Sequence, residues 1–216
     1  MKVSNYSILP KYFLFNDQKI DNIESVIARL KSNVGFVLRD KNLDATMINN
    51  ISRICLKNRI KIFLAHNLEI NNKIKCQSPY LVKGFYFSDN ILQNINKKIL
   101  LQKMLQQHRN SKFSFIGCFH NILQLKKIAH YNRIKAIFIA PIFKTSSHPL
   151  QEPIGLLKLS KMINQNHKIK SLKSIKLYAL GGINDQNIKK IIKFKQKNQS
   201  VKSIRFSGFG AIDFFK

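Results

Sequence analysis

The chain has 216 residues, a formal net charge of +28, 44% hydrophobic residues and 10% aromatics. That length and apolar content suit one folded domain with a real core and exclude a disordered chain. No run approaches the roughly 18 apolar residues of a membrane span, and the opening MKVSNYSILPKYFLF, broken by Asn5, Pro10 and Lys11, makes a poor signal peptide.

Apolar runs of strand length alternate with longer segments of helical period. The first run, Tyr12–Phe15, precedes a helical stripe of Ile23, Val26, Ile27 and Leu30. Gly35–Leu38 comes next, followed by a stripe of Met47, Ile48, Ile51, Ile54 and Cys55. Ile60–Ala65 is the third strand, and Asn72 to Pro79 beyond it is either a weak helix or a loop. Gly84–Phe87 leads into the stripe Ile95, Ile99, Leu100, Met104 and Leu105, and Phe113–Cys118 into Ile122, Leu125, Ile128 and Ala129. Ala136–Ala140 ends at Pro141, and Pro153 and Gly155 punctuate the way into another helix. Lys176–Leu180 runs straight into Gly181-Gly182, with Asp185 as the expected N-cap of a helix through Ile188, Ile191, Ile192 and Lys195. Ser203–Phe206 is the last strand, and Gly208–Phe215 is expected to form a truncated last helix.

Eight strands joined by crossovers predict a parallel sheet, and eight is the number that closes a (β/α)8 TIM barrel. The expectation is a single α/β domain over residues 1–216, its core spanning about 11–213, with short loops. A doubly wound open sheet is the competing architecture.

In such a fold, ligands bind past the carboxyl ends of the strands. After strand six a polar loop carries Thr145, Ser146, Ser147 and His148. After strand seven Gly181-Gly182 can bring backbone amides up to a phosphate, and Ser207-Gly208-Phe209-Gly210 reads as a second such turn. Either these glycines bind phosphate or they serve only tight turns. Arg39 and Lys41 flank Asp40 after strand two, where two cations can grip another anion. His120 follows strand five, either as a proton carrier at the barrel mouth or as a capping or core histidine.

Other chemistries find little support. The carboxylates Asp40, Glu69 and Asp89 form no evident pair for Mg²⁺. No GxGxxG, P-loop or GxSxG is present. Cys55, Cys76 and Cys118 are odd in number and irregular in spacing, which fits a reducing cytosol without a disulfide frame or zinc site. The lysines are scattered over nearly every segment, so the charge reads as solvated surface, with a nucleic-acid-binding face as the alternative.

The segments IAPIFKTSSHPLQEPIG and YALGGIN, in that order, resemble the thiamine-phosphate synthase/TenI family, with its motifs GPVFPT-x-(S/T)-(K/H)-P…LG and (A/G)IGGI. The resemblance runs from about Tyr12 to Ile212 and is strongest in the second half. It implies a cytoplasmic (β/α)8 enzyme of thiamine biosynthesis that binds a thiazole phosphate. Thr145 and Ser147 match the family's hydroxyl ligands, and His148 stands where synthases carry a lysine that contacts pyrophosphate. Gly182, with Gly181 beside it, matches the glycine that binds the thiazole phosphate, and Ser207 and Gly208 fall near the other half of that cup. Arg39 and Lys41 match the R-x-K of the pyrimidine pyrophosphate site, although Val37 replaces a glutamine. His120 matches the proposed proton-transfer histidine of TenI-type thiazole tautomerases.

The departures point the same way. Ala65-His66 replaces the synthases' Asn-Asp pair, only Asp89 or Ile91 stands near the metal-binding aspartate, and Cys118 replaces a serine. The resemblance therefore implies either a tautomerase with no metal, or a synthase that joins a pyrimidine diphosphate to the thiazole and takes Mg²⁺ with its substrate. A degenerate ligand-binding relative is the alternative to both. The expected partners are small molecules, without membrane or nucleic acid, and a homo-oligomer stays open.

Overall fold

The computed structural model describes residues 9–16, 22–30, 34–40, 44–65, 82–88, 99, 102–103, 105–106, 113–120, 134–146, 149–165, 172, 174–197 and 205–211. Eight parallel strands form one closed barrel in chain order. They are β1 Tyr12–Asn16, β2 Val34–Leu38, β3 Lys61–Ala65, β4 Val82–Phe87, β5 Ser114–Phe119, β6 Ile134–Ile139, β7 Lys176–Leu180 and β8 Arg205–Ala211. Closure comes from β1 pairing with β8, Tyr12 opposite Phe209 and Leu14 opposite Ala211. The expected TIM barrel is the observed fold, and the open sheet is excluded.

Four helices are bounded: α1 Ile23–Arg29, α2 Ala45–Lys57, α3 Gly155–Gln165 and α4 Ile188–Lys197. Residues 99, 102–103 and 105–106 are also helical, whereas the segments at 72–79 and 122–129 lie outside the described residues. Asn22 caps α1, its side chain accepting from Ser25 N at 3.2 Å. Asp44 caps α2, accepting from Met47 N at 2.8 Å. Each cap satisfies an amide that the first helical turn leaves without a partner.

Strand alternation splits the core into two layers. Phe13, Phe15, Val37, Phe63, Tyr86, Ile116, Cys118, Phe138 and Tyr178 fill the barrel interior, while Leu14, Phe36, Ile62, Ile137 and Leu177 face the helices. The interior is unusually aromatic. Phe13 meets Phe138 at 4.9 Å and Tyr178 at 5.1 Å, both near perpendicular, and Phe15 meets Phe138 at 4.9 Å. Each such edge-to-face pair contributes about 0.5–1.5 kcal/mol beyond its buried area. The Tyr178 hydroxyl finds its partner in Pro10 O at 2.7 Å.

Rings this large need glycine opposite them. A Cβ on Gly35 would lie 2.4 Å from the Phe13 ring, and one on Gly210 would lie 2.5 Å from the Phe15 ring. This corrects the reading of Ser207-Gly208-Phe209-Gly210 as a turn: β8 runs on to Ala211, with Gly208 paired to Tyr178 and Gly210 to Leu180. Glycine marks close backbone approach here, since a Cβ on Gly208 would collide with the Lys11 carbonyl where β1 closes the barrel. The helix expected from Gly208 is strand through Ala211, and residues 212–216 lie outside the described set. The connection from β6 to α3 runs over 140–154.

Candidate functional site

The connection from β6 to α3 is pinned at its neck. Ala140–Pro141 is a cis peptide. Beyond it, Ile142 N donates to Leu180 O at 2.9 Å and Phe143 N to Gly181 O at 3.1 Å, so β6 stays paired to β7 past the last strand residue. On the return, Ile154 N donates to Pro141 O and Gly155 N to Ile142 O. Thr145 and Ser146 lie on the loop that leaves this neck, with Thr145 half-buried. Ser147 and His148 lie outside the described residues.

The neck packs on Gly181-Gly182. Both glycines have positive φ, 89° and 66°. A Cβ on Gly182 would sit 2.3 Å from Lys144 O and 2.6 Å from Phe143 O. The glycine is therefore required by contact as well as by dihedral. The carbonyls of the bend are engaged: Gly181 O accepts from Phe143 N, and Gly182 O accepts from Asn187 Nδ2 at 2.7 Å. Asn187 also takes Asn184 N at 3.0 Å, and Asn184 takes Gln186 N at 3.1 Å. These two asparagines, and not Asp185, organise the turn into α4. Asp185 is exposed within that turn. The bend is thus fixed with its carbonyls turned to protein, the arrangement in which its amides can serve an anion.

Ser207 and Gly208 do not share this bend. Gly208 is level with Tyr178 and Gly210 with Leu180, so they sit inside the sheet, below the rim where Gly181-Gly182 lies. The cup of two facing glycine turns is replaced by one bend, the one after β7.

His120 stands directly past β5 and is half-buried. Its Nδ1 lies 2.6 Å from Ala140 O and 3.2 Å from the Gln151 side-chain amide. A carbonyl oxygen can only accept, so Nδ1 carries a proton and Nε2 is the basic nitrogen of the neutral ring. Gln151 Nε2 is the second group that approaches Nδ1, at 3.2 Å. His120 is thereby tied to the same loop that packs on Gly181-Gly182.

Arg39 lies on the other side of the mouth. Its backbone N donates to Asn16 O at 3.2 Å, and its guanidinium lies 5.2 Å from the centre of the Phe15 ring. The side chain is hydrogen-bonded to the Tyr86 hydroxyl, which also hydrogen-bonds to Cys118. Burial foremost, with the Cys118 thiol adding to it against the opposing pull of Arg39, pushes the Tyr86 phenol well above its usual range, so it keeps its proton. Asp40 is half-buried beside Arg39, and Lys41 lies outside the described residues. Tyr86, Gln151 and Asn187 had not been singled out from sequence.

Among the described residues no group of three or more His, Cys, Asp or Glu is placed to hold an ion. Ala65, without a donor, ends β3 where a synthase carries an amide–carboxylate pair. Among the described residues nothing fits a Mg²⁺ site. Cys55 and Cys118 are free and buried. No helix among the described residues is long and apolar enough to cross a membrane.

Residues 107–203 match the thiamine monophosphate synthase family (TMP-TENI). A protein of Aquifex aeolicus (strain VF5) with the name "Putative thiamine-phosphate synthase 2" is 24% identical over 192 residues, covering 84% of this chain and 89% of that one. Two solved structures share the fold at low identity. The flavin-binding domain of baker's yeast flavocytochrome b2 has a TM-score of 0.56 at 9% identity, covering 87% of this chain, which spans about half (52%) of that one. The citrate synthase SbnG has a TM-score of 0.53 at 13% identity, covering 94% and 86% of the two chains. These two likenesses carry the barrel alone. The motifs around Thr145 and Gly182, the match over residues 107–203 and the closed eight-stranded barrel make the chain similar to the thiamine-phosphate synthase/TenI family.

Proposed function

We propose that this chain is a thiamine-biosynthesis enzyme that binds a thiazole phosphate at the carboxyl-terminal rim and moves a proton on it. The phosphate lies on the Gly181-Gly182 amides, with Thr145, Ser147 and His148 as its expected further ligands. His120 Nε2 takes a proton from one ring position and returns it to another, acting as base and then as acid. The reading is of a cytosolic protein whose partners are small molecules. One observation supports it above the others: the 2.6 Å contact that fixes Nδ1 on Ala140 O and leaves Nε2 as the base, on the loop that packs against the bend.

Turnover of the thiazole phosphate by purified protein tests this. His120→Ala should lower kcat by about 10²–10⁴-fold, the usual range for a lost acid–base group, with a much smaller change in KM. Unchanged turnover removes His120 from the mechanism. Arg39 at the mouth favours a second reading, coupling to a pyrimidine diphosphate with loss of pyrophosphate. Both synthase substrates with Mg²⁺ separate the two, because thiamine phosphate forms only under the second. Binding to nucleic acid that falls steeply with salt and is indifferent to Gly182→Asp would overturn both.

A further inference from the structure

We propose that Tyr86 and Phe15 are positioning residues that hold the Arg39 guanidinium across the inner rim, aimed at an anion of the pyrophosphate class. This rests on the second reading above, which alone takes Arg39 as an anion ligand.

The geometry is a triangle of buried groups. Phe15 and Tyr86 are 0% and 5% exposed, and their rings meet near perpendicular, 81° apart in plane, at 5.4 Å. Arg39 enters from past the end of β2 and lies 5.2 Å from the Phe15 ring centre, where the ring quadrupole attracts the cation. The Tyr86 oxygen accepts from the guanidinium, and its hydroxyl hydrogen goes to the Cys118 sulfur. A free arginine side chain has many rotamers. One tied at a point and held against a ring has few, so less order is lost when an anion binds. Alternation along β4 places Gly84 and Tyr86 on the same inward side, so the hydroxyl reaches the rim from inside the barrel.

Calorimetric titration of the full chain with inorganic pyrophosphate tests the assignment. Tyr86→Phe keeps the ring and drops the oxygen, and should weaken binding by about five- to tenfold, the size of a coupled contact. Arg39→Met should weaken it further, and in that background Tyr86→Phe should have no added effect. Phe15→Leu supplies the same comparison if the tyrosine variant does not fold. Cys118→Ser, which leaves the Arg39–Tyr86 link in place, should bind as wild type. A loss from Tyr86→Phe that is equal with and without Arg39 means general softening of the barrel and overturns the proposal. So does wild-type binding unaffected by Tyr86→Phe, or no pyrophosphate binding by wild type. The readout is independent of turnover. Coupling seen without thiazole-phosphate turnover sinks the functional reading alone, and turnover without coupling sinks only this one.

Discussion

Gly182→Ala sets two costs on one residue, and Gly155 supplies a control for the first. Both glycines have left-handed backbone, φ 66° and 70°. A side chain in that region costs roughly 1–2 kcal/mol. At Gly155 nothing lies within 4 Å of an added Cβ, so the dihedral cost is the whole effect. At Gly182 the added carbon would lie 2.3 Å from Lys144 O and 2.6 Å from Phe143 O, and these are backbone atoms without rotamers to escape through. Overpacking of that kind adds about 1–3 kcal/mol. For a domain of this size each kcal/mol shifts Tm by about 2–4 °C. Thermal unfolding followed by circular dichroism should therefore place Gly155→Ala about 2–8 °C below wild type and Gly182→Ala about 4–20 °C below. Because the loop that carries Thr145 must move aside, inorganic phosphate should also bind Gly182→Ala more weakly, while Gly155→Ala should bind it as wild type does. Equal Tm losses for the two variants would refute the claim that the loop neck packs on Gly182.

Two further outcomes follow from single residues. Asn187→Ala removes side-chain bonds to Gly182 O and Asn184 N and should destabilise by about 1–3 kcal/mol, with weaker phosphate binding at the freed bend, checked by unfolding and calorimetry. Burial pushes the Cys55 thiol from 9.0 up to about 12. The folded form therefore holds a proton that the unfolded form releases, and stability falls as pH rises from about 9 toward 12. Cys55→Ala should flatten that alkaline slope in urea titrations, and an unchanged slope would remove Cys55 as its cause.

The barrel was legible because its strands are buried on both faces and read as continuous apolar runs. Lys176–Leu180 matches the sequence reading at both ends. β8 was cut short because glycine at 208 and 210 looks like a turn locally, and only barrel closure, about nine-tenths of the chain away in β1, explains its place in a strand. The cap at Asp185 failed for a different reason. Asn184 and Asn187 can both serve as donor and acceptor, and their reciprocal bonds reorganise the turn beyond what a single-cap rule foresees. Tyr86 had a usable signal, a hydroxyl inside the apolar run FYF on the inward side of a strand. Gln151 had none, because it meets His120 only through the path of a folded loop, 31 residues away in sequence.

The rim divides into two mechanical halves, and that division is measurable. Residues 140–143 take His120 Nδ1 on Ala140 O, Leu180 O and Gly181 O on their amides, and the start of α3 on their carbonyls. Four consecutive residues thus join the acid–base group to the glycine bend, so neither can shift without the other. The Arg39 cluster draws on β1, β2 and β4, with Cys118 from β5, and uses none of those four residues in its contacts with Phe15 and Tyr86. Residues that share a network show interaction energies of about 0.5–3 kcal/mol, whereas independent sites add. Gln151→Ala and Gly182→Ala should therefore combine with less than additive loss in kcat/KM, since either one already loosens the shared neck. Tyr86→Phe combined with Gln151→Ala should be additive. Additivity in the first pair would mean that the neck does not transmit displacement, and that the histidine and the bend are neighbours only in position.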